Sequence, residues 1–403
     1  MSCSLPRLGL IGVSGYGRIH LDLVREFAGR DLVQLAAAVV INPREEQATV
    51  LELERQGCRV YPDLEAMWRR EQGNIDLCLI PTGIHQHARM TIAALRAGAN
   101  VLVEKPLAGS ATEVEAIRQA EKESGRFVAV GFQDVYASST RWLLDVLRSG
   151  RIGEVRSVRS LCIWPRARSY FQRNAWAGRL FVGGEPVYDS PLNNACGHFA
   201  LLSQLFGGCV EDHHPLHLDS AELYRARPIE SFDTAVVRFT GSNGMKLWLG
   251  VSHSSHTTHE PEIVIEGSAG RAHWLYESTA SWSNAMGESE VRAIDNAHAV
   301  RREMMAAVVR RLTDPTTPIC STGLAARHTA LIEAVHRGAP ILTVPEEEIA
   351  WSASPDAPNA VPSVRGLDEA LHAAFADGGT LAAAGFGRKP AETPAPETVS
   401  TSP

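Results

Sequence analysis

Over the first ~130 positions, apolar residues come in short runs at 8–12, 35–41, 75–80, 99–103 and 127–132, each rich in Val, Ile, Leu or Ala. Runs that are apolar at nearly every position predict strands buried on both faces. Between them lie amphipathic stretches. Over 86–97, Met90, Ile92, Ala93 and Leu95 fall near one face; over 111–123, Val114, Ile117 and Ala120 recur every third residue with charges opposite. Alternation of these two patterns predicts an α/β fold with a doubly wound parallel sheet.

The pattern changes after about 150. Longer alternating segments at 154–164, 233–240, 245–253 and 262–266 predict an α+β region with a mostly antiparallel open sheet. Thr240-Gly241-Ser242-Asn243-Gly244 predicts a hairpin turn. Residues 365–376 predict a last helix. From about 387 Pro, Ala, Glu, Thr and Ser dominate, the composition of a disordered tail.

Composition narrows the function classes. The 403 residues carry 39 basic and 46 acidic side chains, a formal charge of −7. Sequence-independent nucleic-acid binding needs a basic face, so no nucleic-acid partner is expected. The longest apolar run, Leu35 to Ile41, falls far short of the ~20 residues of a membrane span. No signal-peptide pattern precedes the first strand, and no membrane partner is expected. The seven cysteines (3, 58, 78, 162, 196, 209, 320) are odd in number and scattered. That usage predicts reduced thiols and a cytoplasmic location.

Three short motifs carry candidate chemistry. Gly12-Val13-Ser14-Gly15-Tyr16-Gly17 follows the first strand and matches G-x-G-x-x-G with Ser14 at the middle glycine. Such a loop turns tightly at Gly12, lets a pyrophosphate approach near Ser14 and packs helix on strand at Gly17; the alternative is a plain glycine-rich turn. The second strand ends Asn42-Pro43-Arg44. Asn42 can bond an adenosine ribose hydroxyl and Arg44 can pair with a 2′-phosphate, so NAD and NADP both stay open; Arg44 can equally be solvated. Val103-Glu104-Lys105-Pro106 puts a lysine at the C-terminal end of a parallel strand, where ligands bind in such sheets. An ammonium there polarises or deprotonates a hydroxyl, unless it is only a strand-end surface lysine.

In this order the motifs resemble the Gfo/Idh/MocA oxidoreductase family, which includes glucose–fructose oxidoreductase and inositol dehydrogenases. The resemblance rests on the glycine loop with His20, Thr82-Gly83-Ile84-His85-Gln86-His87, Ala94-Leu95-Arg96-Ala97-Gly98, Glu104-Lys105-Pro106 and Ser149-Gly150-Arg151-Ile152-Gly153-Glu154-Val155. It covers the first ~165 residues well. It implies a Rossmann dinucleotide-binding domain over 1–133, an α+β substrate and oligomerisation domain over 134–386, and a tail over 387–403. It further implies NAD or NADP near Gly12, Ser14, Gly15, Tyr16, Gly17, Thr82, His85, His87, Glu104, Lys105 and Gln133. A homo-oligomer, dimer or tetramer, is expected.

The family's second catalytic element is D-x-x-x-H. Here Asp189 follows a similar lead-in, but Asn193 stands four residues on. Counting back from Leu205-Phe206-Gly207-Gly208 instead pairs Asn194 with His198 at i, i+4, on one face of a helix. His198 is then the acid or base, Asn194 replaces the carboxylate, and Asp189 orients His198 or Lys105. Asn193 and Asn194 can instead bond sugar hydroxyls. Trp164, Arg166, Trp176 and Arg179 are candidate substrate walls or core. His253, His256 and His259 suggest zinc, a pocket wall or a solvated loop; no metal is expected, since cysteine ligands are missing. Gln133-Asp134 lacks the family's arginine, and Glu346-Glu347-Glu348 reads as a solvated face. The reaction implied is hydride transfer between nicotinamide and a hydroxyl-bearing carbon of a sugar, glycoside or cyclic polyol. The alternatives are a glycosidase recycling its NAD and a non-catalytic sugar or dinucleotide sensor.

Overall fold

The computed structural model describes residues 5–208 and 215–387. Cys3, Cys209 and the predicted tail from 388 onward lie outside the described residues.

The first sheet contains β1 (Arg7–Ile11), β2 (Gln34–Val39), β3 (Arg59–Tyr61), β4 (Leu77–Ile80), β5 (Asn100–Val103) and β6 (Val128–Val130). They are all parallel, in the order β3-β2-β1-β4-β5-β6. The order reverses between β1 and β4, which opens a crevice at their C-terminal ends. α1 (Tyr16–Ala28), α2 (Gln47–Arg55), α3 (Leu64–Glu71), α4 (Ile84–Arg96) and α5 (Ala111–Ser124) connect the strands. Their limits follow local chemistry. At the start of α5 Ser110 Oγ accepts the Glu113 amide at 3.2 Å, and Gly125 ends the helix at φ 63°. Leu77, Leu79, Val101, Val103 and Val128 are wholly buried, as their unbroken apolar runs predict.

The chain continues through α6 (Ser138–Arg148), β7 (Val155–Ile163), α7 (Arg168–Gln172), a hairpin of β8 (Phe181–Val182) and β9 (Glu185–Pro186), and α8 (Gly197–Phe206). Then come β10 (Leu216–Arg225), β11 (Thr234–Gly241), β12 (Lys246–Ser252), β13 (His259–Gly267), β14 (Gly270–Leu275), β15 (Thr279–Asn284) and β16 (Ser289–Ala293). The last part adds α9 (Ala297–Arg311), α10 (Thr322–Gly338), β17 (Ile341–Thr343), a hairpin of β18 (Ile349–Trp351) and β19 (Pro362–Val364), and α11 (Leu367–Asp377). Among the described residues, the second sheet has nine strands in the order β16-β15-β14-β13-β7-β12-β11-β10-β17. Only β7 with β12 and β10 with β17 run parallel. One face buries α8, whose ten residues are all buried, and the other is partly covered by α11.

The two cores interlock. Met304, Met305 and Val308 of α9 belong to the first core, and the Val130 amide donates to Cys320 O at 2.9 Å. Residues far beyond 133 therefore complete the first sheet. At a second junction Gly109 lies under Pro186: a Cβ there would come 1.8 Å from the Pro186 carbonyl oxygen. This close approach seats β9 against the loop after β5. Gly109→Ala should therefore destabilise the protein by about 1–3 kcal/mol, read as a lower denaturant midpoint with an unchanged slope.

Candidate functional site

The crevice at the ends of β1 and β4 carries the glycine loop. Gly12 has φ 92° and Gly15 φ 56°, and a Cβ at either would meet nothing within 4 Å. A Cβ at Gly17 would come 2.5 Å from Gly12 O, so only glycine lets α1 start there. The first turn of α1 has no acidic residue. Open backbone at a helix N-terminus suits a pyrophosphate, so Gly12, Ser14, Gly15 and Gly17 fit a dinucleotide. Tyr16 tilts against His20 with 5.8 Å between ring centroids. At the end of β2, Asn42 Nδ2 donates to Glu45 Oε2 at 2.9 Å, while Arg44 is exposed.

Around β4 and β5 most polar groups serve the scaffold. His87 is wholly buried between Pro106 O at 2.7 Å and Thr82 O at 3.1 Å. Both neighbours are acceptors, and burial lowers its pKa; a neutral imidazole donates to only one of them. It ties the loop after β4 to the loop after β5. Thr82 Oγ1 contacts Met90 Sδ at 3.5 Å. His85 stands nearer the crevice. A Cβ at Gly83 would lie 2.9 Å from both the His85 ring and Trp176 Nε1, so the segment after α7 reaches across to the first sheet. Glu104 is buried, bonded to His20 Nε2 at 2.8 Å and to the Lys105 amide at 3.2 Å. Burial raises its pKa, but His20 and Lys105 outweigh that and leave it below the ordinary value.

Lys105 points across to the segment before α8. Its Nζ donates to Asn194 O at 2.7 Å and Asn194 Oδ1 at 3.1 Å. Asn194 Nδ2 in turn donates to Asp189 Oδ1 at 2.8 Å, and Asp189 Oδ2 accepts the Gly178 amide at 2.6 Å. Burial lowers the Lys105 pKa, an effect Glu104 and Asp189 partly offset. Burial raises that of Asp189 against the pull of Arg173. Asp189 therefore orients Lys105 through Asn194.

One expectation needs correction. Asn194 and His198 do not share a helix face. α8 starts only at Gly197, with Cys196 as its N-cap, because Pro191 leads into a turn in which the Cys196 amide bonds Pro191 O at 2.8 Å. Asn194 lies in that turn. His198 lies in the first turn of α8, buried to 8% exposure. Its Nδ1 lies 3.3 Å from Asp134 Oδ2, beyond the end of β6. Burial, then Lys105 and Arg301, depress the His198 pKa well below its usual value; burial pushes Asp134 up to about 7.

The other candidates divide. Asn193 is buried, its amide donating to Val187 O and Tyr188 O and its oxygen facing His328 Nε2 at 3.1 Å. It holds the turn. Gln133 accepts from Arg301 Nε at 2.9 Å. Trp164 donates to Glu260 at 2.9 Å, and Arg166 stacks 5.4 Å from its ring. Arg179 faces Glu230, 3.6 Å away. His253, His256 and His259 diverge to Trp164 O, Ser363 Oγ and Glu262. No group of three or more His, Cys, Asp or Glu among the described residues is placed to hold a metal. Glu346, Glu347 and Glu348 are exposed. Asp134, Arg301 and His328 were missed as functional candidates. The sequence signal for Asp134 is its place beside Gln133 in the segment just beyond the last strand of the first sheet.

Comparison with known proteins bears on the fold that carries these residues. Residues 7–132 match an oxidoreductase family described as having an NAD-binding Rossmann fold, Gfo/Idh/MocA. An inositol 2-dehydrogenase of Pseudomonas savastanoi pv. phaseolicola is 37% identical over 147 residues, 36% of this chain and 43% of that protein. The chain thus spans under half the length of the curated relatives it matches first. Among solved structures, the WlbA dehydrogenase of Bordetella pertussis, in complex with NADH and UDP-GlcNAcA, has a TM-score of 0.68 at 22% identity. The match covers 83% of this chain and 96% of that one. A 3-ketoreductase of Actinomadura kijaniata, with NADP and TDP-benzene, has a TM-score of 0.67 at 21% identity, covering 85% and 100%.

A raised Asp134 pKa has a stability consequence. A carboxyl that titrates near 7 when folded, instead of ~3.9, gives stability that is complete below ~3.9 and lost as pH rises through 7. Asp134→Asn should gain stability relative to the parent between pH 4 and 7, by about 4 kcal/mol at most, and no more above it. Urea titrations at pH 5 and pH 8 check this.

Proposed function

We infer the function from the premise that this chain belongs, through residues 7–132, to the Gfo/Idh/MocA oxidoreductase family. It is an NAD- or NADP-dependent oxidoreductase that exchanges a hydride with a hydroxyl-bearing carbon of a sugar, glycoside or cyclic polyol. The observation that carries this reading is the meeting of Lys105 and Asn194 beside His198, at the C-terminal edge of the first sheet. When bound, the nicotinamide supplies a hydride acceptor or donor at C4.

The chain's own groups handle the oxygen and its proton. An ammonium has three N–H donors. Two of Lys105's go to Asn194, which leaves one for a substrate oxygen. Both acceptors on Asn194 are uncharged, so they fix the ammonium without cancelling its charge. It can then stabilise negative charge growing on that oxygen. His198, kept neutral by burial and the nearby cations, takes the hydroxyl proton in oxidation and returns it in reduction. His85 and Trp176 meet beside Gly83, at the start of α4.

Self-association as a dimer or tetramer and a cytoplasmic location belong to the same proposal. Light scattering after size exclusion tests the first.

Lys105→Ala should lower kcat at least ~10²-fold while NADH or NADPH affinity, followed by fluorescence titration, stays within a few-fold. A kcat within twofold of the parent would refute the role of Lys105. His198→Ala should cost far more kcat than Asn193→Ala. The latter should mainly lower the melting temperature, because Asn193 ties the turn rather than facing the crevice.

A further inference from the structure

In the resemblance that located His198, its partner carboxylate should stand four residues earlier. That position is Asn194, which is engaged with Lys105 and Asp189. His198 is nonetheless not without a carboxylate. Asp134, from the short turn after β6, places Oδ2 3.3 Å from His198 Nδ1. Both atoms are buried and neither makes a hydrogen bond among the described residues, so the 3.3 Å approach brings together two otherwise unsatisfied groups. Asp134 is 3% exposed. Phe132 packs edge-on against the His198 ring at 5.8 Å, which restricts its rotation. An acidic side chain so deeply buried is costly unless it is paired or protonated, and the atom facing it is an imidazole nitrogen.

We propose that Asp134 is the positioning carboxylate of His198, supplied by the first sheet in place of the missing residue at 194, and that the pair stores the proton taken from the substrate. The inference rests on the reading of this site as a hydride-transfer centre. With Asp134 ionised, His198 donates from Nδ1 to Asp134 and presents a bare Nε2, which accepts the hydroxyl proton. The loaded pair relaxes to a protonated Asp134 that donates to Nδ1, with the new proton on Nε2. One proton enters and none is lost, and the reverse sequence serves reduction. The groups facing the pair are Lys105 at the end of β5, Arg301 of α9, His328 of α10, Tyr16 of α1, and Tyr276 and Glu277 after β14. The cations Lys105 and Arg301 favour the ionised carboxyl, while burial and Glu277 oppose it. That balance brings its titration to about 7, the range in which an acid–base group works best.

The test uses the full-length protein labelled with 15N-histidine, with His198→Gln to assign the resonances. In the parent, the His198 nitrogens should change from the Nε2–H to the Nδ1–H form as pH rises through about 7. In Asp134→Asn that change should vanish. The same variant should lower kcat by roughly 10²–10⁴-fold with KM within about threefold, and should flatten the rise of oxidative kcat across pH 6–8. Asp134→Glu should restore part of both. A single tautomer from pH 5.5 to 8.5 in the parent would overturn the proposal. So would an unchanged pH profile in Asp134→Asn with cofactor affinity retained. The NMR readout needs no substrate, so it decides on the pair even if the protein proves not to transfer hydride.

Discussion

A half-buried lysine at the edge of a sheet has to be held by something that does not neutralise it. Here that holder is Asn194, whose backbone and side-chain oxygens both accept from Lys105 Nζ. The contact joins the end of β5 to the segment before α8 and so spans the two sheets. Much of the surrounding architecture supports it. Glu104 anchors the Lys105 backbone, His20 anchors Glu104, Asp189 anchors the Asn194 amide, and the Gly109–Pro186 contact fixes the approach of the two loops. Loss of any of these links would shift an ammonium whose usefulness depends on direction as well as charge.

Two polar systems surround that contact and differ in kind. The Glu104–His20 pair joins α1 to the end of β5, with His20 1% and Glu104 6% exposed, and it holds the Lys105 backbone. Asp134 and His198 face one another across the junction of the sheets; burial pushes the carboxyl up and the imidazole down, so the carboxyl becomes the stronger proton holder of the two. Separating a charge-holding group from a proton-holding group is a common solution for moving hydride and proton together. In this chain the two functions come from different segments and meet at one crevice.

Much of the fold was legible because burial leaves a period in the sequence. The unbroken runs at 8–12, 75–80 and 99–103 mark β1, β4 and β5, and the alternating runs at 245–253 and 262–266 mark β12 and β13. β14 to β16 and the helices α9 and α10 were not read. β14 and β15 alternate only through Ala272 and Trp274 and through Ala280 and Trp282 in short polar segments, β16 is exposed throughout, and α9 gives Met304 and Met305 to a core formed by strands almost two hundred residues earlier. The site was half legible. Lys105 shows itself by its place at a strand end, and His198 by its distance from Leu205-Phe206-Gly207-Gly208. Asp134 does not, because its pairing with His198 joins two segments 64 residues apart that only the packing of α8 on the turn after β6 brings together. Asn193 misled for a related reason: an amide that satisfies backbone carbonyls is chemically identical to one that could bind a sugar.

The most direct test is a crystal structure of the full chain with NADH or NADPH bound. The pyrophosphate should lie over the Gly12–Gly17 loop and nicotinamide C4 should face the space between Lys105 Nζ and His198 Nε2, close enough for a substrate carbon to sit within ~3–3.5 Å of C4. A dinucleotide bound elsewhere, or a nicotinamide ring turned away from Lys105, would contradict this placement.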